Sequence, residues 1–410
     1  MKYTEEEAIA FIEENNVKFI RLAFCDVYGR QKNISIMPTE LSRAFEVGIP
    51  VDAQSISGFD AESGDLFLFP DPTTLTLLPW RPSQGRVIRF FCDIRRRDGA
   101  PFGGDGRYLL RGAIERAAEM GVTCDVGAEC EFYLFRTDEN GEPTDLPFDR
   151  AGYMDIAPAD KGENVRREIC LTLEEMGITP ESSHHEDGPG QNEIDFRYNE
   201  ALRSADDIVT FRMVVKTMAA RNGLYASFAP KPLPGECGNG FHIDLYPRSA
   251  EGDDRVFNGF IAGICKYVRD ITLFLNPCDQ SYDRLGSFKA PRFVTWAYDD
   301  RSHLVRIPPE DGRMRRIEVR SPDSTSNPYY ATALLIHAGL CGVEEGLEPE
   351  APARFDLRTA AEDLTDTLTR LPETPVEAWK FASESKFVKR FLPAFILDAY
   401  RDGTASVPRD

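Results

Sequence analysis

Residues 127–135 read GAECEFYLF, and this run predicts a β-strand that carries chemistry. Glu129 and Glu131 are two residues apart, so on a strand their side chains point to the same face, and the residues between and beside them point to the other. Two carboxylates side by side on a strand repel each other. Either arginine partners elsewhere compensate them on a solvent-facing strip, or a divalent cation binds them.

A second acidic segment, HHEDGPGQNEIDF at residues 184–196, adds Glu186 and Glu193. A Gly-Pro-Gly turn separates the two and can fold the second carboxylate back toward the first. Surface turns are often acidic, but Glu193 lies beside Ile194 and Phe196, where an unpaired carboxylate would be costly. This neighbourhood favours a metal-ligand interpretation of the segment.

Two more strand-like runs supply His242, in GNGFHIDLY, and Glu318, in RRIEVR. Taken alone, His242 fits a satisfied core histidine, and the Arg-Glu-Arg face fits a surface salt-bridge ladder. Together with the other carboxylates they make a set of five glutamates and one histidine. Such a set suits Mg²⁺ or Mn²⁺ and does not suit structural zinc. Three ligands per ion would make two metal sites.

Several arginines accompany these carboxylates. RSHLVRIP supplies Arg301 and Arg306, and RRIEVR supplies Arg316 and Arg320. A two-metal carboxylate site beside arginines is typical of enzymes that transfer phosphoryl groups, because the metal ions and the arginines neutralise the charge on phosphate oxygens. The chain has no G-x-x-x-x-G-K-[ST] motif, so a bound nucleotide would be held by this metal and arginine cradle and not by a P-loop.

Charge and cysteine usage narrow the class of protein. Acidic residues outnumber basic ones, 68 to 48, for a formal net charge of -20, so we expect no nucleic-acid partner and no membrane association. Nine scattered cysteines without a CxxC pair argue against a disulfide framework. The N-terminus is acidic and amphipathic, and no apolar run approaches about 20 residues. The sequence therefore predicts a cytoplasmic protein.

The segment RRRDGAPFGGDGR, at residues 95–107, is the best candidate domain boundary. Before it, a helix at 4–15 precedes strand-like runs at 17–26 and 31–37. Beyond it, helical patterns alternate with strand-like runs. We predict a small α+β domain over residues 1–100 and a large mixed catalytic domain over residues 101–410.

The residues at this point resemble the glutamine synthetase family, class I, nearly end to end. The motifs that carry the resemblance, in chain order, are VDAQSISGF, DLFLFPDPTTLTLLPW, GAECEFYLF, HHEDGPGQNE, FAPKPLPGECGNGFH, NPCDQSYDRL, KAP, DRSHLVRIP and RRIEVRSPDSTSNPYYATA. The resemblance implies an α+β fold, in which an N-terminal β-grasp-like domain is followed by a catalytic domain with a curved sheet that forms the active-site funnel.

The resemblance also implies roles for individual residues. Two sets of three would each hold a metal ion, one on the substrate side (Glu131, Glu186, Glu193) and one bridging the ATP phosphates (Glu129, His242, Glu318). Substrate would be bound by Gly238, Arg284, Arg301 and Arg320, and ATP by Tyr198, Arg306 and Arg316. The candidate catalytic residues are Asp52, Arg306 and Lys289, of which Asp52 would reach the site from a neighbouring subunit.

The implied activity is an ATP-dependent carboxylate-amine ligation that forms a γ-glutamyl amide through an acyl phosphate. Its cofactors would be Mg²⁺ or Mn²⁺, two or more per site, with ATP as co-substrate. Glutamate and ammonia or an amine would be the other small-molecule substrates. The implied assembly is a homo-oligomeric ring, commonly a dodecamer, whose subunits complete each other's active sites.

The sequence departs from the family pattern around the amine pocket. The family carries a glutamate just before Ala-Pro in the loop that closes over the acyl phosphate, whereas this chain has Lys289. A lysine there would repel ammonium. The usual H-x-H-x-S strand reads His242 to Tyr246 with Asp244 at its centre, and the loop asparagine appears as Cys237.

These departures leave three alternatives open. The first is a γ-glutamyl ligase that uses an organic amine. The second is a non-catalytic relative with a structural or regulatory role, although a scaffold gains nothing from clustered carboxylates that repel one another. The third and weakest is a guanidino kinase, which shares the catalytic-domain architecture but not the motifs.

Overall fold

The computed structural model describes residues 3–59, 64–81, 84–250, 253–309 and 315–403. The described chain contains a six-stranded sheet in its N-terminal part and a nine-stranded sheet in the remainder. Residues 1–2 and 404–410, at the outer ends of the two predicted domains, lie outside the described residues. The division between residues 100 and 101 stays a prediction.

The N-terminal part combines two helices with the smaller sheet. Its elements are α1 (Glu5–Glu14), β1 (Val17–Cys25), β2 (Gln31–Ile36), α2 (Leu41–Val47), β3 (Ile49–Asp52), β4 (Asp65–Pro70), β5 (Thr76–Leu77) and β6 (Arg86–Arg95). The strand order is β2-β1-β6-β4-β3, with β5 also paired to β6. Strands β1 and β6 run parallel, and the other pairs are antiparallel. Thr4 and Glu7 form a capping box at the start of α1, which fixes where the predicted first helix begins.

The remainder of the chain alternates helices with the strands of the larger sheet. Its elements are α3 (Gly106–Glu119), β7 (Val122–Thr137), β8 (Pro143–Pro147), α4 (Glu163–Glu175), β9 (Pro180–His185), β10 (Gln191–Glu200), α5 (Ala201–Arg221), β11 (Leu224–Ser227), β12 (Phe241–Ser249), α6 (Asp253–Leu275), α7 (Asp279–Arg284), β13 (Trp296–Tyr298), β14 (Val305–Ile307), β15 (Ile317–Val319), α8 (Pro328–Glu344), α9 (Glu362–Thr365), α10 (Pro375–Glu384), α11 (Lys386–Phe391) and α12 (Ala394–Gly403).

The larger sheet is organised around the long strand β7. The strand order is β13-β14-β15-β12-β7-β10-β9, and β8 and β11 pair with β7 as well. All of these pairs are antiparallel except β13 with β14. The sheet curls strongly into a half-barrel. The predicted fold, a β-grasp domain followed by a catalytic domain with a curved sheet, is confirmed.

Helix α8 is the apolar centre of the larger part. Nearly all of its side chains are buried, which agrees with a sequence that is apolar all round. It packs against α6 through glycines, and a Cβ on Gly263 would fall 2.1 Å from the Ala338 carbonyl oxygen. At its N-terminus, the Asn327 amide donates to the Val27 carbonyl at 3.1 Å, which ties the β1–β2 hairpin to the helix.

A buried arginine connects the smaller sheet to the catalytic part. Arg107 on α3 forms ion pairs with Asp93 on β6 at 2.9 Å and with Asp206 on α5 at 3.2 Å. A buried guanidinium with several carboxylate partners is costly to disrupt. Within the described residues, no helix has both the length and the apolarity that crossing a membrane requires.

Candidate active site

The register of the larger sheet places the predicted ligands side by side. On β7, Glu131 lies opposite Glu193 of β10, and Glu129 lies opposite His242 of β12. One strand further, β15 contributes Glu318. Residues directly opposite one another on antiparallel strands share a face, so strand pairing brings four separate motifs into one cluster.

The turn after β9 brings Glu186 to the same place. The Glu186 backbone N–H donates to the Gln191 carbonyl at 2.9 Å, which folds the Gly-Pro-Gly segment back on itself. The Gln191 side chain then donates to Glu131 at 3.1 Å. His184 Nε2 lies 2.9 Å from Glu186 Oε1 and 3.6 Å from Glu193 Oε1. The turn therefore does return Glu193 toward Glu186, as the sequence predicts.

All but three of the predicted site residues line one cavity of about 540 Å³. Those that line it are Glu129, Glu131, Glu186, Glu193, Gly238, His242, Arg284, Lys289, Arg301, Arg306, Arg316 and Arg320. Glu318 is completely buried beside the cavity, and Tyr198 and Asp52 lie away from its lining within the described chain. One cavity thus collects side chains from most of the length of the larger domain.

Glu129, His242 and Glu318 form a compact candidate metal site. His242 Nδ1 lies 3.1 Å from Glu129 and 4.0 Å from Glu318, and the three potential ligand atoms lie within 4.8 Å of one another. Burial, followed by the charge of Arg320, holds the pKa of His242 well below its usual range. The imidazole is therefore neutral, which is the form that binds a metal.

The substrate-side carboxylates repel one another in the absence of a cation. Burial and the charge of Glu186 raise the pKa of Glu131 to about 7. Burial and the charge of Asp195 raise the pKa of Glu193 well above its usual range. A divalent cation among these oxygens would supply the missing positive charge. The donor set fits Mg²⁺ or Mn²⁺ because it is mostly carboxylate oxygen.

Two residues near this second cluster were missed by the sequence interpretation. The ligand atoms of His184, Glu193 and Asp195 lie within 4.8 Å of one another. Asp195 lies opposite Glu129, and both residues line the cavity. The period-two alternation that identified Glu129 and Glu131 applies equally to Glu193 and Asp195, so the sequence did contain this signal.

In the Arg-Glu-Arg motif, Glu318 and Arg320 are buried and Arg316 is partly exposed, so the motif is not a surface ladder. Glu318 accepts a hydrogen bond from Arg306 at 2.6 Å and another from Arg320. Arg316 takes different partners, Asp244 at 3.0 Å and Glu129 at 3.6 Å. The strand lies between β14 and β12, where both neighbours exclude solvent. Glu318 therefore orders two arginines of the cavity as well as facing His242.

The glycine loop before β12 packs closely against Arg284. A Cβ on Gly238 would fall 2.3 Å from the Pro230 carbonyl oxygen and 2.9 Å from Arg284 Cγ. The Gly240 N–H donates to Glu131 at 2.8 Å. Arg284 itself donates to the Ser321 carbonyl at 2.8 Å. The backbone of this loop is therefore fixed beside both a carboxylate and a guanidinium.

Tyr198 and Asp52 are two predicted site residues that do not line the cavity. Tyr198 lies near the end of β10, and its ring packs on Tyr246 with 4.4 Å between ring centroids. Asp52 is exposed and accepts a hydrogen bond from Ser55 at 2.6 Å. Within one chain, Asp52 does not line the cavity.

Lys289 has a carboxylate partner that the sequence interpretation missed. Its Nζ lies 2.6 Å from Asp187 and 4.9 Å from the centre of the Tyr153 ring. Burial alone would lower the pKa of Lys289, but the hydrogen bond and charge of Asp187 raise it above its usual value. Lysine and aspartate therefore form an ion pair at the cavity.

Family models and known proteins match nearly the whole sequence of this chain. The glutamine synthetase β-grasp domain model matches residues 16–97, and the glutamine synthetase catalytic domain model matches residues 103–405. The chain is 42% identical to the glutamine synthetase of Clostridium saccharobutylicum, covering 99% of this chain and 95% of that one. It is 40% identical to the glutamine synthetase of Methanosarcina mazei, covering 97% and 92%.

Solved structures give the same result for the fold. The ligand-free structure of GmaS superposes with a TM-score of 0.87 at 28% identity, covering 97% of this chain and 94% of that one. The cryo-EM structure of Plasmodium falciparum glutamine synthetase has a TM-score of 0.85 at 21% identity, covering 98% and 96%. Family models, relatives and fold thus agree over nearly the whole chain. The chain belongs to the glutamine synthetase family of ATP-dependent carbon-nitrogen ligases, whose members use ATP and divalent metal ions.

Proposed function

We propose that this protein joins the γ-carboxylate of glutamate to an amine at the described cavity, with ATP as co-substrate. The observation that carries the proposal is the convergence on one cavity of about 540 Å³ of several arginines, the cluster of Glu129, His242 and Glu318, and the further glutamates of the cavity lining. Two divalent cations, held by Glu131, Glu186 and Glu193 and by Glu129, His242 and Glu318, would neutralise phosphate and carboxylate oxygens there.

The arginines would divide the substrates between them. Arg306 and Arg316 would face the phosphates, and the phenol ring of Tyr198 would stack on adenine. Arg284, Arg301 and Arg320 would bind the carboxylates of glutamate, and the backbone of Gly238 would contact its amino group. Arg320 is held by Glu318, so the guanidinium is oriented before substrate arrives.

The chemistry takes place in two displacements. A γ-carboxylate oxygen attacks the γ-phosphorus of ATP, ADP leaves, and an acyl phosphate forms. A neutral amine then attacks the acyl carbon, the bond to phosphate breaks, and the amide and phosphate are released. The protein contributes position and charge: arginines stabilise the oxygens in transfer, and a carboxylate accepts the proton of the incoming ammonium.

The direct test is a phosphate-release assay with glutamate, ATP, Mg²⁺ and a panel of amines. We expect phosphate release that requires both glutamate and an amine, and a γ-glutamyl product detectable by mass spectrometry. Absence of ATP turnover with every amine, in protein shown to bind metal, would instead support a non-catalytic relative.

An organic amine is the acceptor we favour, because Lys289, paired with Asp187, stands where the family pattern carries a glutamate that takes part in ammonium binding. The Lys289→Glu variant should raise the ratio of kcat/KM for ammonium to that for larger amines by about tenfold, since a carboxylate there attracts a small cation. Lys289→Gln serves as the neutral control. An unchanged amine preference in Lys289→Glu would contradict this role for Lys289.

We also propose a homo-oligomeric ring in which Asp52 completes the site of a neighbouring subunit. Twelve chains of 46.1 kDa would give about 550 kDa by light scattering. Asp52→Ala and Glu131→Ala should each be inactive alone. When the two are co-expressed, about a quarter of the sites should combine an intact Asp52 with an intact Glu131, and activity should return. Mixed oligomers that stay inactive would place Asp52 outside the site.

The cysteines bear on the compartment in which the protein works. All nine cysteines are free thiols, and none forms a disulfide. Free thiols suit a reducing compartment, so we infer that the protein works in the cytoplasm.

A further inference from the structure

The ion pair between Lys289 and Asp187 joins two chain segments across the amine side of the cavity. Asp187 follows Glu186 in the turn after β9, and Lys289 lies in the loop after α7. Both side chains line the cavity, and 37% of the lysine and 32% of the aspartate side chain is exposed. At this exposure the pair contributes little to stability, so an incoming charged molecule can exchange with it at small cost.

The charges of the pair discriminate between classes of amine. A simple amine is a monocation in water, and at Asp187 it competes with the ammonium group of Lys289. The displaced lysine would then have lost its counterion and would lie next to a second cation, which is unfavourable. A molecule with both an ammonium group and a carboxylate meets neither penalty. It replaces one internal ion pair by two, because its ammonium binds Asp187 and its carboxylate binds Lys289.

The surroundings of the pair have the same polarity. On the aspartate side lies the buried Glu186, which the proposed divalent cation would neutralise, so Asp187 is the carboxylate that is left to bind an ammonium group. On the lysine side lies Lys231, whose Nζ is 3.2 Å from Ser287 Oγ in the loop that carries Lys289. An acceptor bound here would therefore direct its ammonium toward Asp187 and its carboxylate toward Lys289.

An apolar rim lies alongside this charged pair. Tyr153, Met154 and Phe288 all line the cavity, and all three are exposed. The Tyr153 ring already contacts the ammonium group of Lys289. The centre of the Phe288 ring lies 4.7 Å from the ammonium nitrogen of Lys231. Such side chains fit a carbon body between two charged ends better than they fit a bare ammonium ion.

From these contacts we propose that the amine acceptor is a zwitterionic amino carboxylate, bound by Asp187 through its ammonium and by Lys289 through its carboxylate. The inference rests on the proposed ligase function and specifies its acceptor. In the reaction, the acceptor ammonium first loses one proton to solvent. The free amine forms a C–N bond with the acyl carbon as the C–O bond to phosphate breaks, and the second proton leaves with the phosphate. The product is a γ-glutamyl amino carboxylate.

The test compares acceptors that differ only in the carboxylate. Glycine is paired with methylamine and glycinamide, β-alanine with ethylamine, and γ-aminobutyrate with propylamine, and ammonium is included. Glutamate-dependent phosphate release and the mass of the γ-glutamyl adduct are measured for each. A reaction with glutamate alone reports glutamate acting as its own acceptor. For at least one pair, the amino carboxylate should exceed its amide or decarboxylated partner about tenfold or more in kcat/KM.

Two variants test the binding of the acceptor's carboxylate and of its ammonium group separately. Lys289→Ala should raise KM for the preferred amino carboxylate about tenfold more than it raises KM for the matching simple amine. Asp187→Asn should weaken both classes, because both present an ammonium group. The matched control is Lys266→Ala, which removes an ion pair of similar exposure between Lys266 on α6 and Glu345 just after α8, and which should leave the preference unchanged.

The outcomes distinguish this inference from the function on which it rests. Simple amines that equal or exceed every amino carboxylate in the wild-type protein would overturn the zwitterion inference and leave the ligase function standing. A preference that survives Lys289→Ala would overturn the role of Lys289. Absence of glutamate-dependent phosphate release with every acceptor, ammonium included, would reject the ligase function itself.

Discussion

Glu131→Ala is expected to reduce glutamate-dependent phosphate release by about 10³-fold or more, because a lost ligand removes several kcal/mol of charge stabilisation from the transition state. The metal-free variant should nevertheless unfold at the same temperature as the wild type or at a higher one. Burial and the charge of Glu186 raise the pKa of Glu131 to about 7, so at neutral pH this carboxyl opposes folding until a cation binds.

Differential scanning calorimetry with and without Mg²⁺ or Mn²⁺ checks this expectation. Metal should stabilise the wild type and should stabilise Glu131→Ala much less. Glu362→Ala, an exposed glutamate on the short helix α9, is the control and should change neither property. Wild-type turnover in Glu131→Ala would remove this residue from the ligand set, and a large drop in unfolding temperature without metal would contradict the repulsion argument.

Glu318→Ala is expected to have the opposite effect on stability. Glu318 is fully buried between Arg306 and Arg320, whose side chains are themselves buried. Removing the carboxylate leaves two guanidinium groups without this counterion, which costs about 3–5 kcal/mol. Activity should also be lost, because the same carboxylate faces His242 and orders both arginines.

Chemical denaturation gives the free energy of unfolding, and phosphate release gives the activity. Glu318→Gln keeps the volume and a hydrogen-bond acceptor, so it should recover part of the stability without recovering activity. The sign of the stability change is the informative result. If Glu318→Ala without metal were as stable as the wild type, then the pairing of Glu318 with the arginines would not be a structural requirement.

The two variants are expected to change stability in opposite directions, and this difference separates what the local sequence contains from what it omits. Alternation along a strand is set by backbone geometry, so GAECEFYLF by itself places Glu129 and Glu131 on one face. The same rule places Asp195 on the strand face that carries Glu193. Nothing local separates Glu131, a carboxylate among carboxylates, from Glu318, a carboxylate among arginines, because that difference depends on which strands are neighbours.

The amine side of the cavity gives the clearest case of information missing from the sequence interpretation. Lys289 stands out as a charge reversal against the family pattern, and this predicts repulsion of ammonium. Its partner Asp187 lies in another motif, and the pairing at 2.6 Å depends on how the turn after β9 meets the loop after α7. The sequence thus predicts an altered amine pocket, whereas the fold shows that the lysine is paired.

The sequence by itself determined the fold class, through its periodicities and its resemblance to a known family, and it determined the face on which each strand presents the candidate metal ligands, because strand alternation acts over a few neighbouring residues. The tertiary structure decided which carboxylates lie together, which are neutralised by arginine and which lysine meets which aspartate. Those outcomes depend on strand order and register, and these are fixed by contacts between residues far apart in the chain.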